Sequence, residues 1–352
     1  MITSTEPTVS VIIPVHNGGE SFRKCLSSLK ESMILPSEVI VVSDADTDGS
    51  WLVAQEFGAK VIRIPVNGGP AKARNLGASV ATSNIIYFVD ADVVVSASAV
   101  GKVKKAFGSD SELAALIGSY DDEPGASNFL SQYKNLFHHY NHQIANEEAF
   151  TFWGACGAIR REVFLSLGGF DESYQRPSIE DIELGYRIRG AGYKIRLWKD
   201  LQVKHLKRWE IISLLKAEIF YRALPWTELI LSQRQLDNDL NLGVSSRLSV
   251  ILIYAILVNL VLSLWWLGFL GVAALLSLVL LGINLSVYRF FMHKRGLGFT
   301  LRVIPWHWFY YFYGGFAFAM GSAKYTIDRW IVSVVDLLPP IKKLQKNNTF
   351  NS

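Results

Sequence analysis

Two aspartates, Asp90 and Asp92, follow an apolar run at residues 85–89 and are separated by one residue. Paired carboxylates at the end of a strand suit a hard divalent cation, which takes oxygen ligands from the protein and from substrate phosphates. Such a cation would neutralise a diphosphate leaving group. The same spacing also fits aspartates that end a strand and cap the next turn, so the pair alone decides little.

A second acidic cluster favours ligand binding. Asp44, Asp46 and Asp48 follow another β-branched run, at residues 38–42. Because ligands bind beyond the carboxyl ends of strands in open α/β sheets, we expect both clusters to face one crevice. Carboxylates that lie close together repel each other, and a metal ion, or hydrogen bonds to a nucleobase and ribose, would relieve that repulsion.

The first 120 residues alternate short β-branched runs with amphipathic stretches, which is typical of a mostly parallel, Rossmann-like sheet covered by helices. The predicted strands are 9–14, 38–42, 60–64 and 85–89, and the predicted helices are 20–30, 50–57 and 71–80. Beyond residue 118 the alternation fades, and helices are predicted only at 161–167 and 179–189. The sequence therefore predicts an α/β catalytic domain over residues 1–210.

The C-terminal part has the composition of a membrane region. Hydrophobic residues make up 50% of the 352-residue chain, and residues 248–288 contain no charged side chain, about twice the length of one spanning helix. This length predicts a hairpin of two helices within the segment, with Trp265, Trp266 and Gly268 at its turn. Residues 303–323 form a third apolar segment. We expect interfacial helices and a linker over 211–246, with a break at Pro225, and a membrane region with a short cytoplasmic tail over 247–352.

Charge and cysteine content indicate a cytoplasmic catalytic domain on a bacterial-type inner or plasma membrane, crossed several times. The chain starts without a basic flank and apolar segment typical of a signal peptide, Cys25 and Cys156 are not expected to pair, and a net charge of +4 is too small to indicate nucleic acid. Basic residues flank every apolar segment, which places the flanks in the cytoplasm. The third segment would then be re-entrant or interfacial rather than spanning.

Three neighbouring histidines, His138, His139 and His142, raise the question of a metal site. On a helix only one of the first two would lie beside His142, and no further ligand is evident in the sequence. We therefore expect a solvated or membrane-near face at these positions.

Several motifs, taken in order over residues 9–209, resemble the family 2 glycosyltransferases, inverting enzymes of the GT-A fold that use a nucleotide diphosphate sugar. The resemblance implies binding of a UDP- or GDP-sugar by the first strand end, the acidic loop, the third helix and the Asp-Ala-Asp segment. The residues that match are Pro14, Val15, His16, Asn17, Asp44, Asp46, Lys72, Arg74, Asp90 and Ala91. Arg74 would steady the diphosphate or the metal-binding aspartates, and the alternative is an ordinary exposed helix arginine.

The resemblance also assigns the remaining roles. Asp181 would deprotonate the acceptor hydroxyl, although Ser178 and Asp181 also have the spacing of a helix capping box. Asp92 and His205 would hold Mn²⁺ or Mg²⁺, and the alternative for His205 is a surface histidine. The acceptor-side residues would be Trp153, Gly154 and Glu180, with core packing as the alternative for Trp153.

The predicted function is transfer of one sugar to a lipid or membrane-associated acceptor. A polyprenyl-phosphate glycosyltransferase is the first alternative. A processive polysaccharide synthase is disfavoured, because His205 stands where the Gln-x-x-Arg-Trp motif of those enzymes has glutamine and because few apolar segments follow. A sugar-nucleotide-binding protein without turnover is the alternative from another class.

Overall fold

The computed structural model describes residues 6–233 and 243–337. Its strands are β1 Val9–Val15, β2 Glu38–Asp44, β3 Lys60–Ile64, β4 Ile85–Val89, β5 Val93–Val95, β6 Ala115–Tyr120, β7 Glu148–Ala149, β8 Cys156–Arg160 and β9 Ile195–His205. The helices of the catalytic part are α1 Gly19–Lys30, α2 Ser50–Glu56, α3 Gly69–Val80, α4 Ala99–Ser109, α5 Phe129–Ile144, α6 Arg161–Ser166 and α7 Glu180–Gly190. The C-terminal helices are α8 Ile211–Lys216, α9 Leu224–Gln233, α10 Val244–Leu262, α11 Gly268–Ile283 and α12 Leu285–Leu337, with a π-helical segment, Ala217–Ala223, between α8 and α9.

One mixed sheet carries the catalytic domain, with the order β3-β2-β1-β4-β8-β6-β9-β5 and β7 beside β9. The first four strands in this order are parallel, which confirms the predicted α/β class. Strand β8 then runs antiparallel to both β4 and β6. Strands buried on both faces read as continuous apolar runs, and β4 is buried at every position for this reason. The carboxyl ends of β1, β2 and β4 consequently open onto one edge.

Regular structure continues where the sequence pattern faded. Helix α5 packs on β6, and its polar residues are buried: His139 and His142 are 7% and 4% exposed. Their Nδ1 atoms lie 2.7 Å from the Tyr120 carbonyl oxygen and 3.0 Å from that of Gly118. A solvated face was therefore the wrong expectation for His139 and His142, because backbone acceptors of β6 satisfy these rings inside the protein, whereas a membrane-near position stays a prediction.

A turn separates α10 from α11, and the third apolar segment lies against α5 of the catalytic domain. Between α10 and α11, Trp265 and Trp266 are exposed. Among the described residues, only α10 is by itself long and apolar enough to cross a bilayer. Helices α11 and α12 meet at a bend of 62°, and together they fit one broken span or a re-entrant loop. Helix α12 breaks at Gly296 and then packs on α5, where Val303 shares a buried cluster with Tyr133.

The predicted break at Pro225 was wrong, since helical structure continues from α8 through the π segment into α9. Proline lacks an N–H, so the carbonyl of Tyr221 one turn earlier loses its usual donor. The hydroxyl of Ser178 donates to that carbonyl instead, at 2.6 Å. This bond ties the π-helical segment to the loop that precedes α7.

Candidate active site

The acidic loop after β2 organises the start of α3. Asp44 is 4% exposed, and its two carboxylate oxygens accept the backbone N–H groups of Gly68 and Gly69, each at 2.8 Å. Gly69 has φ +83°, and a Cβ there would lie 2.5 Å from the Gln175 carbonyl oxygen. Asp44 therefore holds a loop that only glycine fits, in addition to the base-binding role predicted for it.

The loops after β1 and β2 lock together. Asn17 and Ala45 both have left-handed φ angles, 53° and 52°, and the Asn17 Oδ1 atom accepts the Thr47 N–H at 2.7 Å. Strain of this kind is typical of ligand-binding loops. The Oδ1 atom of Asp46 is buried without a hydrogen-bond partner, which suits an acceptor reserved for a bound nucleotide.

The carboxyl end of β1 offers a ligand both backbone groups and an exposed side chain. Val15 is 2% exposed, so only its backbone can reach a ligand, whereas Pro14 is half-buried and the His16 side chain is exposed. The Nδ1 atom of His16 lies 2.6 Å from the Asp44 carbonyl oxygen. Lys72 is exposed on the first turn of α3, where the amino end of a helix favours anions.

Arg74 is the central cation of the site. It is 5% exposed, so the exposed-arginine alternative was wrong. Its Nη2 atom lies 2.7 Å from Asp90 Oδ1 and its Nη1 atom 3.0 Å from Glu180 Oε1. Burial alone would lower the pKa of Arg74, but the charges of Asp90 and Glu180 outweigh burial and raise it. The guanidinium therefore connects α3, the end of β4 and the start of α7 as a fixed positive charge.

The strand register brings Asp92 and His205 together. Val93 pairs with His205 across β5 and β9, which leaves Asp92 Oδ2 3.7 Å from His205 Nε2. The His205 ring is buried and stacks on Tyr120 at 4.3 Å, so it is not a surface histidine. Across residues 6–233 and 243–337, no group of three histidine, cysteine or acidic side chains converges as a metal site. The protein would thus offer a cation two ligands, and Ala91 lies between the two aspartates, partly buried on the core.

Asp181 faces a small cavity of about 70 Å³ that it lines together with Trp153 and Arg222. Its Oδ2 atom accepts the Gly154 N–H at 3.1 Å and its Oδ1 atom the N–H of the next residue at 2.8 Å. Burial and the charge of Glu180 raise the pKa of Asp181 to about 6, against the lowering effect of Gly154, Arg74 and Arg222. A carboxylate with this pKa is ionised at neutral pH and basic enough to take a proton.

The capping-box alternative for Asp181 is not what the structure shows. Helix α7 has no side-chain cap at its N-cap residue, Ile179, and the Ser178 hydroxyl donates to Tyr221 rather than taking part in a cap. The Ser178 N–H donates to Glu180 Oε2 at 2.8 Å. Asp181 is thus left to face the cavity.

Of the three residues predicted for the acceptor side, Trp153 and Gly154 lie beside Asp181 or Arg74, and Glu180 lies behind the site. Trp153 lines the cavity beside Asp181 and contacts Tyr120 edge to face at 4.8 Å. Gly154 packs against the Arg74 guanidinium, where an added Cβ would lie 3.1 Å from Cζ. Glu180 is 4% exposed and both its oxygens are occupied by Arg74 and Ser178, so the structure places it behind the site as the partner of Arg74.

Two residues of the site were not singled out from the sequence. Tyr120 stacks on His205 and contacts Trp153, and nothing in its sequence context marks it. Arg222 lines the Asp181 cavity from the π segment. Its spacing from Glu218 is a helical ion-pair signal, which identifies a helix face and not a site.

Comparisons with known proteins identify relatives of this chain. The family model described as "Glycosyl transferase family 2" matches residues 10–168. The probable glycosyltransferase YdaM of Bacillus subtilis is 29% identical over 54% of this chain and 49% of its own length. The pre-mycofactocin glycosyltransferase of Mycobacterium tuberculosis is 26% identical over 60% of this chain and 46% of its own. The chain thus spans about half the length of these curated relatives.

Among solved structures, a mannosyltransferase from Pyrobaculum calidifontis, in complex with GDP-Man and Mn²⁺, aligns with a TM-score of 0.55 at 16% identity. The alignment covers 92% of this chain and 88% of that one. At this identity it shows the fold alone, the GT-A arrangement followed by a helical C-terminal region. The chain therefore contains a glycosyltransferase family 2 domain, over residues 10–168.

Proposed function

We propose that the protein is an inverting glycosyltransferase that moves a single sugar from a nucleotide diphosphate sugar to a lipid or membrane-associated acceptor. The observation that carries the proposal is the position of Asp181. Its carboxylate is fixed by the Gly154 amide, lines a cavity, and has a pKa raised to about 6 by burial and by Glu180. One such base is what direct displacement at an anomeric carbon requires.

On the donor side the protein's own residues bind and orient. The unpartnered Oδ1 atom of Asp46 would accept a hydrogen bond from the base or ribose. Arg74 holds the Asp90 carboxylate at 2.7 Å and so fixes the segment that faces the diphosphate. Lys72, exposed at the amino end of α3, would attract the phosphates.

The donor atoms at Asp92 and His205 fit a divalent cation. A carboxylate oxygen and an imidazole nitrogen 3.7 Å apart are ligand types that Mn²⁺ accepts, with the remaining positions left to phosphate oxygens and water. When bound, the cation would supply positive charge that stabilises the departing diphosphate. The stacking of His205 on Tyr120 keeps its ring oriented toward Asp92.

In the transfer step, ionised Asp181 accepts the proton of the acceptor hydroxyl. The acceptor oxygen forms a bond to the anomeric carbon on the face opposite the diphosphate, and the bond from that carbon to the diphosphate oxygen breaks. The electron pair leaves with the nucleoside diphosphate, and the configuration at the anomeric carbon inverts. Trp153, beside Asp181, would form the wall against which the acceptor lies.

The membrane part of the proposal is that α10 spans the bilayer and that the later helices keep the active site at its cytoplasmic surface. It is supported by the length and apolar composition of α10 and by the exposed tryptophans at its turn. A reporter fused after Ser352 tests whether the third apolar segment crosses the bilayer. A reporter found on the outer face would exclude an interfacial position of that segment.

Release of nucleoside diphosphate in detergent, with Mn²⁺ or Mg²⁺ and a membrane lipid extract, tests the function. We expect turnover with at least one common UDP- or GDP-sugar, and its loss in Asp92→Ala, while Asp200→Ala, an exposed aspartate on β9, retains it. No turnover with any donor would favour a binding protein without activity. Retained transfer in Asp181→Asn would favour a phosphate acceptor, which needs no base.

A further inference from the structure

A second, larger cavity of about 440 Å³ lies between the interfacial helices and the membrane helices. Its apolar wall includes Ile230 of α9, Val250 and Ile251 of α10, and Phe318 of α12. The volume is in the range of small-molecule sites, and the lining is mostly apolar. An apolar chain is the ligand chemistry that such a wall favours.

The two cavities share two lining side chains. Arg222 and its neighbour Trp226 line both the apolar cavity and the Asp181 cavity. The Arg222 side chain is 41% exposed, although it comes from a helix packed between the catalytic and membrane regions, and the space it faces is these two cavities. Arg222 and Trp226 thus form the boundary between the apolar cavity and the Asp181 cavity.

Arg222 keeps hydrogen-bond donors that no described residue uses. Glu218 Oε1 lies 2.7 Å from Lys134 Nζ and 3.1 Å from Arg222 Nη1. Two cations share one carboxylate, and the side chains of Lys134 and Glu218 are only 16% and 8% exposed. The guanidinium N–H groups of Arg222 that do not bond Glu218 have no protein acceptor among the described residues, and charge-assisted donors of this kind bind an anionic group.

We infer that the acceptor is an anionic lipid, whose apolar chain occupies the cavity between α9, α10 and α12 and whose phosphate lies against Arg222 beside Asp181. This inference rests on the proposed glycosyltransferase function and names the acceptor class of that site. The accepting oxygen is either a hydroxyl next to the phosphate or the phosphate itself.

A variant that fills the cavity tests the chain site. Gly314 lines the cavity, and a Cβ placed on it meets no atom within 4 Å, so Gly314→Leu occupies the cavity without a backbone clash. Gly282→Leu, on α11 away from the cavity and equally open, is the matched control. With a photoreactive dodecyl phosphate in detergent, we expect labelling of α10 and α12 to fall at least tenfold in Gly314→Leu and to stay unchanged in Gly282→Leu.

A second set of variants tests the phosphate contact. Loss of a charge-assisted hydrogen bond weakens binding by about tenfold to a hundredfold. We expect Arg222→Gln to weaken binding of dodecyl phosphate by that factor and to leave binding of photoreactive dodecanol unchanged, and Arg222→Lys to recover most of the phosphate binding. A merely structural role of Arg222 would affect both probes equally.

Equal labelling by both probes that Arg222→Gln does not alter would overturn the inference and show a cavity filled by any membrane lipid. Labelling insensitive to Gly314→Leu would also overturn it. Release of nucleoside diphosphate tests the proposed function separately. If Gly314→Leu does not change the transfer rate, the function is supported and the lipid site is not. If phosphate binds selectively but no transfer occurs, the lipid site is supported and the function is not.

Discussion

Removal of the Arg74 side-chain charge should destabilise the protein strongly. Arg74→Met leaves Glu180, whose side chain is 5% exposed, as a buried carboxylate without its cation. Breaking a buried ion pair by removing one partner costs about 3–5 kcal/mol. Loss of the contact with Asp90 adds less to this cost in unfolding free energy, because the Asp90 side chain is 31% exposed and can be hydrated. At 2–4 °C per kcal/mol for a domain of this size, Tm should fall by roughly 10 °C.

The reasoning also predicts a rescue. Glu180→Gln removes the buried negative charge and keeps an oxygen for the Ser178 N–H, which donates to Glu180 at 2.8 Å. The double variant Arg74→Met/Glu180→Gln should therefore recover about 2 kcal/mol of the loss. Its donor turnover should stay low, because Asp90 no longer has the contact that orients it. Stability and activity would thus separate in one pair of proteins.

Thermal unfolding in detergent, followed by tryptophan fluorescence, measures these differences. Lys72→Met serves as the matched control, because Lys72 lies on the same helix and is exposed; its Tm should stay within about 2 °C of wild type. An Arg74→Met protein as stable as this control would refute the role of the buried charge. A double variant no more stable than Arg74→Met would refute the assignment of the cost to Glu180.

Three further predictions concern the acceptor side. Since Asp181 must be ionised to accept a proton and its pKa is raised to about 6, kcat/KM should rise with pH through about 6 and level off above; a flat profile from pH 5 to 8 would exclude this base. Gly154→Ala puts a methyl group 3.1 Å from Cζ of Arg74, which two carboxylates prevent from retreating, and turnover should drop about tenfold or more in a steady-state assay. Ser178→Ala should cost about 1 kcal/mol in thermal unfolding, and the added change Pro225→Ala should restore it by supplying a backbone N–H.

The parallel half of the sheet was predictable because its signal is local. A strand buried on both faces leaves a continuous apolar run, and the run at 85–89 coincides with β4, which is buried at every position. The run at 60–64 coincides with β3, an edge strand that is only partly buried. Their polar ends mark the ligand edge without further information. Asp90 and Asp92 could therefore be placed at that edge from the sequence.

The second half could not be predicted in the same way. Helix α5 carries histidines that are polar in sequence but are buried in the fold, because residues far along the chain satisfy them: His142 lies 24 positions from its acceptor, Gly118. The ion pair of Arg74 and Glu180 joins residues that are 106 positions apart in the sequence. Periodicity reports which face of a helix is apolar, and it carries no information on contacts at such separations.

The buried cluster that Tyr133 of α5 forms with Phe291 and Val303 of α12 has a consequence for how the two regions can be inherited. Apolar side chains of α5 in the catalytic domain are covered by side chains of α12, which follows the hairpin of α10 and α11, so each region would expose apolar surface without the other. Shuffling the catalytic domain onto a different anchor would expose aromatic rings on α5. The two regions are thus expected to evolve as one unit, with paired changes on α5 and α12, rather than as exchangeable modules.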